Sequence, residues 1–406
     1  MTVRRIAIVS DSFPPGWGGG ITSAHYQLFR VLRKKGFDVR AFTFFDDGPA
    51  ADGEADIVRR GPPRGAVRLV RRLANLVFRL IDPGRAAYQV ADIVVRAWGA
   101  WRLNTALARF APQVLVCPDH GSPALFLRPI AGCRRVLVAH HNPSRFADLP
   151  FIEPHSATDV RLAVAAEQRT LGRIDKVIAP SHYMKRIFER TYSFDGPVEV
   201  IPNLIDPDFL DSVASHDPRG LLGLPPGAPL VYVPGGGNKF KGAGFVPEIL
   251  RALAQESDGP IGVFLSGAVP EETQSMLAGL PDGLRVHAPG PLDGSANLGR
   301  VKACSFGVYP TLAENYSVAL LEAALCGVPM VTFDVGGSGE IVRDGTNGFL
   351  APAHDVDALI SQAQRLLDPA AARRMAESTL DDAGARLDGA AAADAWIAGL
   401  TQFDGG

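Results

Sequence analysis

Cysteine is scarce in this sequence and never clustered. The four present, Cys117, Cys133, Cys304 and Cys326, stand far apart with no Cys-x-x-Cys pair. That spacing speaks against a zinc site and for reduced thiols in a cytoplasmic protein. Charge of one sign is lacking too. Lysine plus arginine number 41 and aspartate plus glutamate 43, a net charge of −2. No overall field draws such a chain to nucleic acid, which drops out as a partner. No apolar run reaches the length of a transmembrane helix. The apolar stretch before Asp11 is too short for the core of a signal peptide. The expectation is a soluble, cytoplasmic protein. What the chain does have is bulk: 406 residues, 47% hydrophobic and 21% charged, enough for two domains of about 200 residues each.

The order of local patterns is strand, loop, helix, many times over. RIAIVS (5–10) is a short β-branched run followed by the loop DSFPPGWGGG. ITSAHYQLFRVLRKKG (21–36) then has helical spacing and ends in Lys-Lys-Gly, a C-terminal signal. DVRAFTFF (38–45), VLVC (114–117), RVLVAH (135–140) and KVIAP (176–180) read as further buried strands, the last running into Ser181, an N-cap candidate for HYMKRIFER. Around 202–229 the composition shifts to proline, glycine and aspartate, as in a linker. The alternation restarts with PLVYVP (229–234), IGVFLS (261–266), LRVHA (284–288), FGVYP (306–310) and PMVTF (329–333), and an alanine-rich helical tail runs from about 354 to 402. Alternation of this kind implies parallel sheets covered on both faces. The expected fold class is α/β, two doubly wound Rossmann-like domains facing across a cleft. Residues 1–203 form the first and 204–385 the second, with a C-terminal helix over 386–406 crossing back to the first. Ligands of such sheets bind beyond the carboxyl ends of the strands, so chemistry belongs in the loops after them.

Three such loops stand out. GWGGG (16–20) lets the backbone approach a ligand in front of a helix N-terminus, which attracts an anion. Its spacing is not that of a dinucleotide fingerprint, and a plain flexible turn is the alternative. GGGNKFKGAG (235–244) adds Lys239 and Lys241 to a glycine-rich turn, a cradle suited to a diphosphate, against a solvated lysine loop. The third is TLAENYSVALLEAALCGVP (311–329), in which Glu314 follows a strand and Glu322 sits one to two turns into the next helix among apolar residues. Near the helix start, Glu314 could accept hydrogen bonds from sugar hydroxyls while the first N–H groups hold a phosphate. The bland alternative makes Glu314 a cap and Glu322 an exposed helix residue.

The segment from Pro310 to Pro352 closely resembles the donor-binding region of GT4-type retaining glycosyltransferases, which have the GT-B fold. The resemblance is carried by Glu314, by Glu322-Ala323 eight residues on, and by Gly327 with Pro329. Gly336-Gly337, Glu340-Ile341-Val342 and Gly345 with Gly348-Phe349-Leu350 complete it. Weaker matches are the SDSFPPGWGG start, VIAPS, IPNLID and the Lys241-Gly242 pair. The resemblance implies a hexosyl transfer from a nucleoside diphosphate sugar to a hydroxyl acceptor, a glycan, a lipid-linked sugar or a small molecule, with retention. Glu322 would bind the donor ribose and Glu314 the transferred sugar. The N–H groups around Asn315, Tyr316, Ser317 and Val318 would face the diphosphate, with Gly18 and Gly19 opposite and Lys241 neutralising it. His141, in VAHHNP, matches the family's sugar-contacting histidine, with His140 a rival and His120 a looser match. Two positions depart from the pattern. Gly236 stands where the family usually has an arginine, so that either Lys239 supplies the charge or the phosphate grip differs, and Leu204 replaces a glycine after Pro-Asn.

Fixed cations and helix N–H groups can stabilise a leaving diphosphate without a metal, so no metal and no cofactor beyond the sugar nucleotide is expected. Two other classes compete: an epimerase or hydrolase on the same fold, and a non-catalytic scaffold with a decayed donor site. Finally, residues 59–79, RRGPPRGAVRLVRRLANLVFR, hold seven arginines and no acid, with Leu69, Leu73, Leu76 and Leu80 on one side of a helix. Peripheral contact with the anionic inner face of the membrane is one expectation for it. A solvated helix packed on its own domain is the other.

Overall fold

The computed structural model describes residues 3–14, 19–46, 56–147 and 149–403. The chain forms two compact units, one of residues up to Asp206 together with Ala390 onward, the other Pro207–Gly389. The first is built on seven strands: β1 (Arg5–Ser10), β2 (Asp38–Thr43), β3 (Ile57–Arg59), β4 (Val114–Pro118), β5 (Arg134–Val138), β6 (Lys176–Ala179) and β7 (Val198–Val200). They pair in parallel in the order β3-β2-β1-β4-β5-β6-β7. The second unit has β8 (Leu230–Val233), β9 (Ile261–Leu265), β10 (Leu284–His287), β11 (Phe306–Tyr309), β12 (Met330–Phe333) and β13 (Gly348–Ala351). These too are parallel, in the order β10-β9-β8-β11-β12-β13.

The two-residue period of a strand explains how one run of apolar residues feeds two cores. Ile6 and Ile8 of β1 and Val114 and Val116 of β4 face one layer, with Leu28 and Leu32 of the helix Gly20–Lys34. Ala7 and Val9, with Leu115 and Cys117, face the other, against Leu103, Leu107 and Phe188. The C-terminal helix Gly389–Thr401 belongs to the first layer through Ala393, Trp396 and Leu400. Burial of side chains of this size stabilises by roughly 1.5–3 kcal/mol each. The second unit repeats the scheme, with Val231, Val263 and Val308 packed against Ile249, Leu250 and Leu359. The expected α/β class with two doubly wound parallel sheets is what the chain forms.

In each sheet the strand order reverses once. In the first unit β1 and β4 flank the reversal, and in the second β8 and β11 do. The connections leave these neighbours in opposite directions, so a crevice opens beyond their carboxyl ends, where open α/β sheets bind ligands.

Candidate functional site

In the second unit, the loops after β8 and β11 flank the reversal point, and both carry residues singled out in the sequence. The loop after β8 closes in a short 3-10 turn, Lys239–Lys241, whose N-cap Asn238 accepts from the Phe240 N–H. Gly242 follows with φ +74°, and a Cβ there would lie 1.9 Å from the Pro310 carbonyl oxygen. Only glycine fits that contact. The turn is also tied to the other loop, since Leu312 N–H donates to the Phe240 carbonyl at 3.0 Å. The two loops are thus fastened together, and Lys241 is carried to Glu314.

Lys241 Nζ donates to Glu314 Oε1. The same carboxylate oxygen accepts from the Tyr309 hydroxyl at 2.5 Å and the Thr311 hydroxyl at 3.3 Å. Glu314 is buried, whereas the Lys241 side chain keeps 30% of its surface open. Burial alone would lower the lysine, but the Glu314 charge outweighs it and holds the ammonium above its ordinary range. Burial and the Glu314 charge push the Tyr309 phenol up. The Lys241 ammonium also lies 5.5 Å over the Tyr309 ring, so charge and ring quadrupole add. Glu314 is therefore no helix cap. That work falls to Ser317, whose side chain accepts from Leu320 N–H at the head of the helix Val318–Leu325. The N–H groups of Val318 and Ala319 have no intrahelical partner. Asn315 is half-buried and Tyr316 buried in the loop just before them.

Glu322 lies one turn beyond that helix start. It is half-buried, not exposed, and no hydrogen bond or ion pair holds its carboxylate among the described residues. Burial pushes the group up to about 7.

Lys239 does not join this cluster. In a 3-10 turn residues two apart point away from one another. Its ammonium stands 3.5 Å from Glu272, with both side chains mostly exposed. Gly236 has φ +41°, and a Cβ there would meet the Ser266 carbonyl oxygen at 2.7 Å. An arginine at 236 would need this loop to be rebuilt.

In the first unit the loops after β1, β4 and β5 bring together a network of charged and aromatic residues. Arg96 donates to Asp11 at 2.9 Å and pairs with Asp92 at 3.1 Å. His120 Nδ1 lies 3.1 Å from Asp11 on the same network. Burial raises the Asp11 carboxyl, but Arg96 and His120 outweigh that and hold it well below the usual carboxylate range. His141 sits between the His120 ring, at 4.5 Å, and the Phe146 ring, at 5.2 Å. Its backbone N–H donates to Asp119 at 2.8 Å, and its Nδ1 is 3.8 Å from Glu167. Burial, then His120, lowers His141 well below the ordinary histidine value, so the imidazole is neutral. Burial lifts Glu167 to about 8 although the Tyr192 hydroxyl donates to it. His140 faces elsewhere, its ring 5.5 Å from that of His25. Gly19 is the N-cap of Gly20–Lys34, and a Cβ on it would meet nothing within 4 Å. Gly18 lies outside the described residues.

Several members of both clusters carry no loop signature. Asp92 and Arg96 could have been found as an ion pair at i, i+4 in the apolar first half of the helix Gln89–Phe110. Tyr309, a strand-end tyrosine, offers no signal of its own. Two Asp-x-Asp triplets also occur. In Asp206-Pro207-Asp208, Asp206 accepts from Arg30 and Lys34. In Asp355-Val356-Asp357, Asp355 caps the helix Val356–Gln364.

A family model described as Glycosyltransferase Family 4 matches residues 18–209, and one described as Glycosyl transferases group 1 matches residues 229–369. The D-inositol 3-phosphate glycosyltransferase of Mycolicibacterium smegmatis is 25% identical, over 92% of this chain and 86% of that protein. The matched stretch spans about half the length of the first such curated relatives, 49% and 50% for two of them. Among solved structures, sucrose-phosphate synthase from Thermosynechococcus elongatus has a TM-score of 0.73 at 21% identity, over 97% of both chains. Anabaena HepE, in complex with UDP and glucose, has a TM-score of 0.65 at 19% identity, over 97% of this chain and 98% of that one. These structural likenesses are ones of fold, the GT-B class. The first family model covers β2 to β7 of the first unit and the second all the strands of the second unit, and together they take in most of the sequence; the chain belongs to the group 1, family 4 glycosyltransferases.

Proposed function

We propose that this glycosyltransferase moves a sugar from a nucleoside diphosphate sugar onto a hydroxyl of a saccharide or lipid-linked acceptor, with retention of configuration and without a metal ion. The observation that carries the proposal is the chemistry gathered where β8 and β11 part. An ammonium, a buried carboxylate and open helix N–H groups stand there, with an unpartnered carboxylate about one turn further along. Each group matches one part of a sugar nucleotide. Lys241, with the N–H groups of Val318 and Ala319, takes up charge on the departing diphosphate. Lysine has three donor hydrogens, so its bond to Glu314 leaves others for phosphate oxygens. Glu314 holds hydroxyls of the transferred sugar, and Tyr309 and Thr311 fix its orientation. Glu322 accepts from the two ribose hydroxyls. In the first unit, the neutral imidazole of His141 is suited to a sugar hydroxyl, and Gly19, at the head of the helix Gly20–Lys34, leaves its backbone open to an anion. The acceptor attacks the face from which the diphosphate leaves, so no enzymic nucleophile is required. A nucleotide-sugar donor is further supported by the UDP and glucose held by HepE.

Turnover is the test. The protein is incubated with UDP-, GDP-, ADP- and dTDP-sugars and a hydroxyl acceptor in EDTA, and the anomeric coupling of any product is read by NMR. One donor is expected to react in EDTA and give the anomer it began with, and Glu314→Gln should abolish the product. An inverted anomer, or activity only on adding metal, contradicts the proposal. Free sugar released without transfer would point to a hydrolase.

A further inference from the structure

The helix Arg64–Ile81 of the first unit has three sectors of different chemistry. Toward its own unit it offers Phe78, the one buried residue among its described side chains, and Arg71, which donates to Asp92 of the next helix at 2.8 Å. A second sector is a stripe of Leu69, Leu73, Leu76 and Leu80 at helical spacing, with Val77 and Ile81 beside it. All six are more than half exposed, and Leu80 is 79% exposed. The third sector is exposed Arg68, Arg72 and Arg79, which the helical repeat places along one flank of the leucines. No acidic residue occurs anywhere in the helix. The next helix, Gln89–Phe110, adds a second exposed stripe, Val94, Trp98 and Trp101, at the same spacing.

Large aliphatic residues lined up in water are unfavourable, and soluble monomers seldom keep such patches without a use. Charge decides what covers this one. Two copies of the chain meeting through it would set arginine against arginine, because a two-fold contact pairs a surface with itself. An anionic lipid surface satisfies all three residue types together. Leucines reach the acyl boundary, arginines meet lipid phosphates, and tryptophans settle at headgroup level. We propose that the helix Arg64–Ile81, with the outer stripe of Gln89–Phe110, docks the protein on an anionic membrane surface with the helix lying in the interface. This inference is independent of the donor chemistry assigned to the second unit.

Sedimentation of the full chain with vesicles tests it. Vesicles of phosphatidylcholine alone are compared with vesicles that also contain phosphatidylglycerol. Binding is expected only to the mixed vesicles, with release at high salt and a blue shift of tryptophan fluorescence on binding. Replacing Arg68, Arg72 and Arg79 by glutamine should weaken binding at least about tenfold. Leu73→Ser with Leu80→Ser should abolish binding and leave the thermal melt of the free protein unchanged, because both side chains already face solvent. Failure of the unaltered protein to bind the mixed vesicles would overturn the proposal. So would equal binding to neutral vesicles, or full binding by the leucine variant. A dimer in gel filtration that the leucine changes dissolve would assign the face to a second copy, and would overturn it too.

Discussion

At Glu322, burial raises the carboxyl to about 7 from an ordinary 4.5, and no donor or cation among the described residues offsets the cost. Between those values the folded chain holds a proton that the unfolded chain has released. Stability therefore falls as pH rises from 4.5 through 7, and Glu322→Gln escapes the loss. Above pH 7 the variant should be more stable than the parent by on the order of 2 kcal/mol, measured by urea unfolding across a pH series. The same change should weaken nucleotide binding about tenfold or more, because hydrogen bonds to a charged acceptor contribute about 1.5–3 kcal/mol. A gain in stability with a loss of affinity is the mark of a residue kept for its ligand. Lys241 and Glu314 behave in the opposite way, since each is the other's counter-charge. Lys241→Met or Glu314→Gln alone should cost about 3 kcal/mol in urea unfolding by leaving a largely buried group uncompensated. The double variant should cost clearly less than the two singles added. The spacing of the two glutamates was legible in the sequence, as was Lys241 beside its glycines. The bonds from Tyr309 and Thr311 to Glu314 were not, because contact between a strand end and its own loop leaves no periodic trace.

Among elements, ten of the thirteen strands can be read from short apolar runs, because a strand buried on both faces is apolar throughout. The three that cannot, β3, β7 and β13, all lie at sheet edges and have three or four residues. β3 and β7 have only three residues each, too few for a pattern to register, and edges are where sheets keep strands short. Helix starts are more legible, since they depend on a local cap: Ser181 accepts from Met184 N–H at 3.0 Å, as its position before HYMKRIFER suggests. The loop after β8 shows the converse. Its glycines read as a phosphate cradle, yet Gly242 is required for a different reason, its approach to Pro310. Gly242→Ala should cost more than about 2 kcal/mol, since a left-handed φ and a backbone clash add together. It should also lower turnover, because Lys241 would lose its register on Glu314. Denaturant unfolding and initial rates on the same preparation check both.

For the molecule as a whole, each unit places its chemistry at the point where its strand order reverses, and that placement follows from the alternation of strands and helices alone. The histidine and carboxylate network of the first unit was only partly legible. Asp92 and Arg96 come from a helix far from the loops they serve, and Glu167 from another. Chain ends matter at this scale as well. Trp396, buried in the first unit's core, donates from its indole to the Pro202 carbonyl at 2.8 Å. Trp396→Ala should destabilise that unit by about 3–5 kcal/mol, seen as a lowered transition in calorimetry. The central claim, that the second unit holds a nucleoside diphosphate through Lys241 and Glu322, is tested most directly by a thermal-shift panel of UDP, GDP, ADP and dTDP in EDTA. One nucleotide at a hundredfold its dissociation constant should stabilise the protein by about 2.7 kcal/mol. The shift should vanish in Glu322→Ala. No shift with any nucleotide, or a shift that survives Glu322→Ala and Lys241→Met unchanged, would contradict the claim.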